Sequence, residues 1–352
     1  MTETLDIVVP VYRGEAETRA CLASVLAADC ARPVNVIVID DASPEPAISA
    51  LLRDLARDRR ITLIVHAGNR GFVASVNEGM AVHPDRDVVL LNSDTEVADG
   101  WVDRIGAHFA ADRSIGTVTP FSNNATICSY PRTLEANGMP QGETTATLGA
   151  AFAQVNAGRR VDIPTAVGFC MAISRACLNR VGAFDYERYG AGYGEEVDFC
   201  MRAARAGFRN VLAGDVFVRH VGEVSFGGEG AERRAKAQAT VDALYPEFQQ
   251  RLAQFIPSDP PRMLRRRADL QRMARASSPL RLQEIGRHVR MDWPQAGEDF
   301  ALWLDRGRDT DGIIAVQNAV LGRGPVPELE ERWLFPPRIE RPGLLERLKR
   351  LF

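Results

Sequence analysis

An apolar run, Val88-Val-Leu-Leu91, meets Asn92-Ser93-Asp94 with no residue between them. A carboxylate at the carboxyl end of a buried strand is well placed to hold a hard divalent cation against a diphosphate. Mg²⁺ takes one or two protein carboxylates together with phosphate oxygens, and ligands of open α/β sheets sit just beyond the strand ends. The same aspartate can instead turn or cap the chain after the strand, and this segment alone leaves both readings open. Three other polar clusters occupy the same kind of place: Tyr12-Arg13 after residues 5–11, Asp40-Asp41-Ala42-Ser43 after 34–39, and His220 closing 211–220. If those strands run parallel, the clusters converge on one sheet edge, where two acid-bearing strand ends favour a shared anion-and-metal site. A fifth cluster, Glu195-Glu196-Val197-Asp198, sets three acids in four positions at the start of a helix. Acids in a first turn stabilise a helix by about 0.3–1 kcal/mol each, so here too a structural reading stands beside a chemical one.

Strands and helices in alternation are needed to position these clusters, and the hydrophobic pattern supplies them. Residues 5–11, 34–39, 61–66 and 88–91 are short β-branched runs that read as buried strands. Between them, residues 15–28 carry apolar positions at Ala20, Leu22, Val25 and Leu26, and residues 46–57 and 73–80 also read as helices. Strand–helix alternation at this spacing implies a parallel sheet covered on both faces, an α/β fold. Further strands are expected at 115–119, 167–174 and 211–220, with helices at 175–181 and 195–206, the latter stopped by Gly207. Residues 120–149 are rich in Asn, Ser, Thr, Gly and Pro and read as a long functional loop. Beyond Gly227-Gly228 the texture becomes helical over 231–255 and much of 263–290, which puts a domain boundary near residue 230.

Bulk properties exclude several function classes. The 352 residues, 45% apolar and 25% charged, suit a soluble globular protein of one large domain with an appendage. A formal net charge of −3 gives no general attraction to nucleic acid, so no nucleic-acid partner is expected. Six cysteines without a CxxC pair read as small buried hydrophobes in a reducing, cytoplasmic setting. The acidic N-terminus enters a strand at once and reads as no leader. No apolar run approaches the roughly 20 residues that span a bilayer.

Five segments, in order, closely resemble family 2 glycosyltransferases over about residues 5–226: Asp6-Ile-Val-Val-Pro-Val-Tyr12, Val38-Ile-Asp-Asp-Ala-Ser43, Asn69-Arg-Gly-Phe72, Leu90-Leu-Asn-Ser-Asp-Thr95 and Gly194-Glu-Glu-Val-Asp-Phe-Cys200. The resemblance implies a GT-A fold (a Rossmann-like, mostly parallel sheet flanked by helices), here over residues 1–230, with a mainly helical C-terminal extension over 231–352. It also implies a UDP-, dTDP- or GDP-linked sugar donor, a divalent metal (Mn²⁺ or Mg²⁺) and inversion at the anomeric carbon. Carried over by position, Pro10, Val11 and Tyr12 line the base pocket, and Asp40 contacts base or ribose. Asp41 stands beside it with a cap as its other reading, and Arg70, Gly71 and Asn77 approach the nucleotide. Asn92-Ser93-Asp94 takes the place of the D-x-D motif, departing from it at Asn92. That leaves Asp94 as the principal metal carboxylate, with His220 completing the metal and diphosphate site. Gly168 brings backbone to the donor sugar, and the loop around 130–160 is expected to close over the donor as a lid.

Glu195-Glu196 sits where the family has Glu-Asp, so the resemblance makes Glu196 the general base. The extra methylene of Glu shifts the carboxylate by about an ångström, a distance that matters in catalysis, and keeps Glu195 as the reserve. Asp198 is a structural or acceptor-side acid. The implied acceptor is a glycan or lipid-linked hydroxyl in bacterial surface polysaccharide synthesis, and the resemblance extends to rhamnosyltransferase-like chains. In the tail, the basic stretch 262–290 is either a solvated face or a peripheral contact with the inner face of the cell membrane, and the short basic amphipathic helix 344–352 either touches that surface or packs on a partner or another domain. Two rival functions remain: a sugar-1-phosphate nucleotidyltransferase, for which Tyr12-Arg13-Gly14-Glu15 supplies no Gly-rich triphosphate loop, and a non-catalytic nucleotide-sugar-binding scaffold.

Overall fold

The computed structural model describes residues 4–190, 192–222, 230–276, 280–293 and 301–334. Its contacts divide the chain into two compact units, Met1–Leu264 and Arg265–Phe352. The first unit opens with the expected alternation: β1 (Leu5–Val11), α1 (Glu15–Ala27), β2 (Val34–Asp40), α2 (Pro46–Arg57), β3 (Thr62–Val65), α3 (Phe72–Ala81) and β4 (Val88–Leu91). It continues through β5 (Thr95–Glu96), α4 (Trp101–Ala111), β6 (Ile115–Phe121), α5 (Thr145–Asn156), β7 (Arg160–Asp162), β8 (Cys170–Ile173), α6 (Arg175–Val181), α7 (Tyr186–Tyr189), α8 (Glu195–Arg205), β9 (Arg209–Phe217) and β10 (Arg219–His220). α9 (Gly230–Leu244), α10 (Pro246–Ser258) and the start of α11 (Arg262–Ala276) follow.

Eight strands form one sheet in the order β3-β2-β1-β4-β8-β6-β9-β7. β1 to β4 are mutually parallel; β8 is antiparallel to both β4 and β6, so β6 and its parallel neighbour β9 point the same way as β4. The carboxyl ends of β1, β2, β3, β4, β6 and β9 therefore share one edge. The reversed β8 starts at that edge, with Cys170 opposite Leu91. All four residues of β4 are buried, as a strand covered on both faces requires. On one face, Val8, Ile37, Ile39 and Leu90 pack with Val73, Val76 and Met80 of α3 and with Phe199 and Met201 of α8. α3 lies directly on β1 because Gly79 has no Cβ; one there would stand 2.4 Å from Val8 Cγ1.

The middle of the chain differs from the expected lid. Residues 145–156 form α5, opened by a reciprocal capping box between Thr144 and Thr147. Leu148, Ala151, Phe152 and Val155 are buried. The Phe152 ring lies 5.0 Å from those of Phe121 and Tyr130 and 5.6 Å from that of Phe217. α5 is thus a core helix; its many Ala, Gly and Thr residues mask the apolar stripe in the sequence.

The division at Leu264 comes later than the change of texture near residue 230, because Val241, Tyr245 and Phe248 of α9–α10 join the core of the first unit. The second unit is not all helical. Residues 281–305 hold a three-stranded antiparallel sheet of β11 (Arg281–Ile285), β12 (His288–Asp292) and β13 (Ala301–Asp305), followed by α12 (Thr310–Val320). Val289 and Met291 are buried between the partly exposed His288 and Arg290, the period-two pattern of a strand, so the helical reading of 263–290 holds only through α11. The helix expected at 344–352 lies outside the described residues. Among those described, no helix is long and apolar enough to cross a membrane.

A lid can be truncated at little cost to stability, whereas a core ring cannot. Phe152→Ala is expected to destabilise the protein by about 3–5 kcal/mol in denaturant titration. A loss below about 1 kcal/mol would return α5 to the surface.

Candidate functional site

Asp94 and His220 arrive from distant parts of the chain and meet through backbone pairing. β5 and β10 form a two-stranded antiparallel ladder in which His220 faces Thr95. Val221 N–H donates to the Asp94 carbonyl at 3.0 Å, and Gly222 N–H to Asp94 Oδ2 at 2.9 Å. The His220 imidazole is held on three sides. Its Nδ1 donates to the Asn124 carbonyl at 2.7 Å, its ring stacks on Phe169 at 5.2 Å, and its Nε2 lies 3.4 Å from Asp94 Oδ2. Asn123 fixes the backbone beneath: its Oδ1 accepts the His220 N–H and its Nδ2 donates to the His220 carbonyl, both at 2.9 Å. The Asn123-Asn124 segment of the loop thus holds the histidine in place.

A carbonyl on Nδ1 fixes the imidazole proton there and leaves the Nε2 lone pair facing a carboxylate. Two electron-pair donors face to face must share a proton or a cation. Burial alone would raise the Asp94 carboxyl, but His220 and the Gly222 N–H outweigh it and hold the group below the ordinary aspartate range. Burial alone would lower His220, and the Asp94 carboxylate overrides it and raises the imidazole. Among the described residues no group of three or more His, Cys, Asp or Glu side chains gathers to hold a metal. Asp94 and His220 could supply two protein ligands, a set that suits a Mg²⁺- or Mn²⁺-type ion taking its remaining oxygens from phosphate and water. Asn92 and Ser93 lie at the same strand end, with Asn92 N–H on the Phe169 carbonyl at 2.9 Å. Gly168 precedes Phe169, and a Cβ on it would meet open space.

On the neighbouring strand ends, the acids are already engaged. Asp40 accepts from Ser43 N–H and Ser49 Oγ, each at 2.8 Å. Asp41 accepts from Arg70 N–H at 2.7 Å, Gly71 N–H at 2.8 Å and His66 Nδ1 at 2.7 Å. His66 Nε2 reaches Glu78 at 3.1 Å, and the Arg70 guanidinium reaches the same carboxylate at 2.6 Å. Asp41 therefore caps the Arg70-Gly71 turn, and His66, which the sequence reading passed over, anchors it; Gly71 takes φ 84° there. Val11 receives the Asp41 N–H on its carbonyl at 2.9 Å, Pro10 precedes it on β1, and the Arg13 guanidinium sits 5.4 Å from the Tyr12 ring centroid. Asn77 faces elsewhere: its carboxamide donates to the Phe184 carbonyl at 2.8 Å and accepts the Phe184 N–H at 3.0 Å. Both ends of that carboxamide are thus engaged by the Phe184 backbone.

α8 leads into β9, so its N-terminus faces the shared edge. Gly194 starts it at φ 85°, where a Cβ would press to 3.0 Å from the Tyr189 ring. Glu195 is 5% exposed, and one carboxylate oxygen of each of Glu195 and Glu196 is buried with no hydrogen-bond partner. Burial, and then the neighbouring Glu196 charge, push Glu195 well above the ordinary range; burial raises Glu196 as well. Buried carboxylates left this way lack the compensation that structural acids normally have. Asp198 is the contrast: Arg202 Nε at 2.8 Å and Tyr245 hydroxyl at 2.6 Å occupy both of its oxygens. These contacts make it an anchor of the first turn of α8.

A sequence model described as "Glycosyl transferase family 2" matches residues 6–182, half of the chain. The chain is 26% identical over 210 residues to the pre-mycofactocin glycosyltransferase of Mycobacterium tuberculosis in two strains, which covers 58% of this chain. It spans 40% of the length of those curated relatives. Two solved structures align at a TM-score of 0.48: a GalNAc-T7 complex with UDP, GalNAc and Mn²⁺, and a mannosyltransferase from Pyrobaculum calidifontis with GDP-Man and Mn²⁺. Their identities to this chain are 16% and 17%; the alignments cover 63% and 91% of it, and 44% and 83% of the solved chains.

The Asp94–His220 pair has a signed pH dependence. A lowered aspartate contributes stability above its ordinary value of 3.8 that is lost as pH falls through its folded pKa. A raised histidine contributes stability below 6.5 that is lost as pH rises through its folded pKa. The metal-free pair therefore stabilises fully only between those two values. Asp94→Asn should lower the His220 pKa in an NMR titration of the imidazole. An unchanged value would mean that the two side chains do not interact in solution.

Proposed function

The chain belongs to the glycosyl transferase family 2, and we propose that it is an inverting, metal-assisted glycosyltransferase using a nucleotide-sugar donor. The observation that carries this reading is the meeting of Asp94 with the Nε2 lone pair of His220 at the sheet edge that the N-terminus of α8 also faces. The nucleoside lies over Pro10, Val11, Tyr12 and Asp40, with the Asp41-capped Arg70-Gly71 turn beside it. Asp94 and His220 would hold the divalent ion, which when bound neutralises the charge of the departing diphosphate. The donor sugar lies toward the backbone of Gly168, with Asn92 and Ser93 alongside.

Glu196 takes the proton from the acceptor hydroxyl as its oxygen bonds to the anomeric carbon. The bond from that carbon to the diphosphate oxygen breaks in the same displacement, and the pair of electrons leaves with the nucleoside diphosphate. The configuration inverts because attack and departure are on opposite faces. Burial suits Glu196 to this work: a base with a raised pKa accepts a proton more readily near neutral pH. A nucleotide-binding scaffold would have no use for two adjacent carboxylates that each keep a buried oxygen without a hydrogen-bond partner. A glycan or lipid-linked hydroxyl in bacterial surface polysaccharide synthesis is the acceptor we assign, with the donor drawn from the cytoplasmic pool.

Nucleotide release from UDP-, dTDP- and GDP-sugars, with Mn²⁺ or Mg²⁺ and with EDTA, tests the reading. Turnover of one donor should require metal and disappear in Asp94→Ala. Glu196→Gln should cut turnover by about 10²–10⁴-fold while nucleotide binding persists. Full activity in EDTA would refute the metal-assisted step, and failure of every nucleotide to bind would refute the donor site.

A further inference from the structure

One carboxylate oxygen of each of Glu195 and Glu196 is buried without a hydrogen-bond partner, and the hydrogen bonds that both groups do take come from the backbone at the start of α8, which therefore decides where they stand. Asp198 belongs to that turn and is 2% exposed. Its Oδ2 takes Arg202 Nε, and Arg202 in turn donates to the carbonyls of Val181 at 2.5 Å and Ala183 at 2.9 Å. These ties come from the chain just before α8. Oδ1 is different: it takes the hydroxyl of Tyr245, from the turn between α9 and α10, at 2.6 Å. Tyr245 follows His220 along the chain, so the segment that leaves the cation-binding side ends on the helix that carries the base.

We propose that Tyr245 is a positioning residue whose hydroxyl, acting through Asp198, sets the place of the Glu196 carboxylate. The proposal rests on the reading of Glu196 as the general base. The Tyr245 ring is fixed independently of its hydroxyl. It is buried in the core with Val241 and Phe248, and the Arg205 guanidinium lies 4.6 Å from its centroid. Arg205 is itself tied to Glu247 at 2.9 Å and to the Leu244 carbonyl at 3.1 Å. Removing the hydroxyl therefore leaves the ring in place and strands a buried carboxylate oxygen, an arrangement that a polypeptide avoids. The first turn of α8 moves to relieve it, and Glu196, two residues from Asp198, moves with it. A displacement of about 1 Å lowers turnover by up to about a hundredfold.

Tyr245→Phe, Asp198→Asn, the double variant and Glu196→Gln, each in the full chain, test the proposal against the UDP-, dTDP- or GDP-sugar that the wild type turns over. Tyr245→Phe should lower kcat by about tenfold to a hundredfold with the donor KM within about twofold. It should also move the acid limb of the kcat–pH profile, which a purely structural loss would leave in place. The double variant should be no slower than the slower single variant, because both remove one interaction. A parallel carboxyl titration by ¹³C-glutamate NMR, with Glu196→Gln identifying the signals, reads the same displacement without substrate as a shifted midpoint for the pair. Wild-type kcat, pH limb and carboxyl midpoint in Tyr245→Phe would overturn the proposal, as would additive losses in the double variant. If Glu196→Gln stays fully active, the assignment of the base falls and this proposal falls with it. If Glu196→Gln is inactive while Tyr245→Phe is unchanged, only the positioning role falls.

Discussion

The pairing of β5 with β10 is the contact on which the site depends. Asp94 leaves a buried central strand, and His220 arrives after the last long strand of the sheet. Without the ladder that sets His220 opposite Thr95, the two would be unrelated side chains on separate loops. The ladder is short, so other groups reinforce it. Asn123 closes both backbone groups of His220, the Asn124 carbonyl fixes the imidazole proton, and Phe169 stacks on the ring. Main-chain and aromatic contacts thus orient the Nε2 lone pair, and the Asp94 carboxylate is free to answer it.

The acids of the edge divide by how fully they are satisfied. Asp40, Asp41 and Asp198 have hydrogen bonds to both oxygens, which makes them part of the frame that shapes turns and anchors helices. Glu195 and Glu196 keep buried oxygens without partners, and Asp94 faces a histidine at a distance longer than a good hydrogen bond. Unsatisfied charge is costly to bury. Its concentration at the first turn of α8 distinguishes Glu195 and Glu196 from the acids that shape turns and anchor helices.

Much of this was legible in the sequence where local rules are strong. The β-branched runs of β1, β2 and β4 and the helices between them follow from periodicity, and their alternation fixes the parallel half of the sheet. The edge clusters could be named because parallel strands end together. The antiparallel insertion of β8, the two-residue strands β5 and β10, and the core role of α5 were hidden, since pairing partners far apart in sequence leave no local signal. Side-chain roles were harder. The contact of Asn77 with the Phe184 turn joins residues 107 apart, which no local pattern announces. His66 was missed because a lone histidine after an edge strand has no pattern of its own; its partners, Asp41 and Glu78, lie on different elements.

The central claim is that Asp94 and His220 together hold a divalent ion at the donor diphosphate. Anomalous diffraction from crystals grown with Mn²⁺ and a nucleoside diphosphate tests it most directly. The account predicts a manganese peak within coordination distance of an Asp94 carboxylate oxygen and His220 Nε2, sharing the ion with phosphate oxygens, and its loss in Asp94→Ala. A peak elsewhere, or nucleotide bound with the Asp94–His220 contact intact and no metal beside it, would contradict the account.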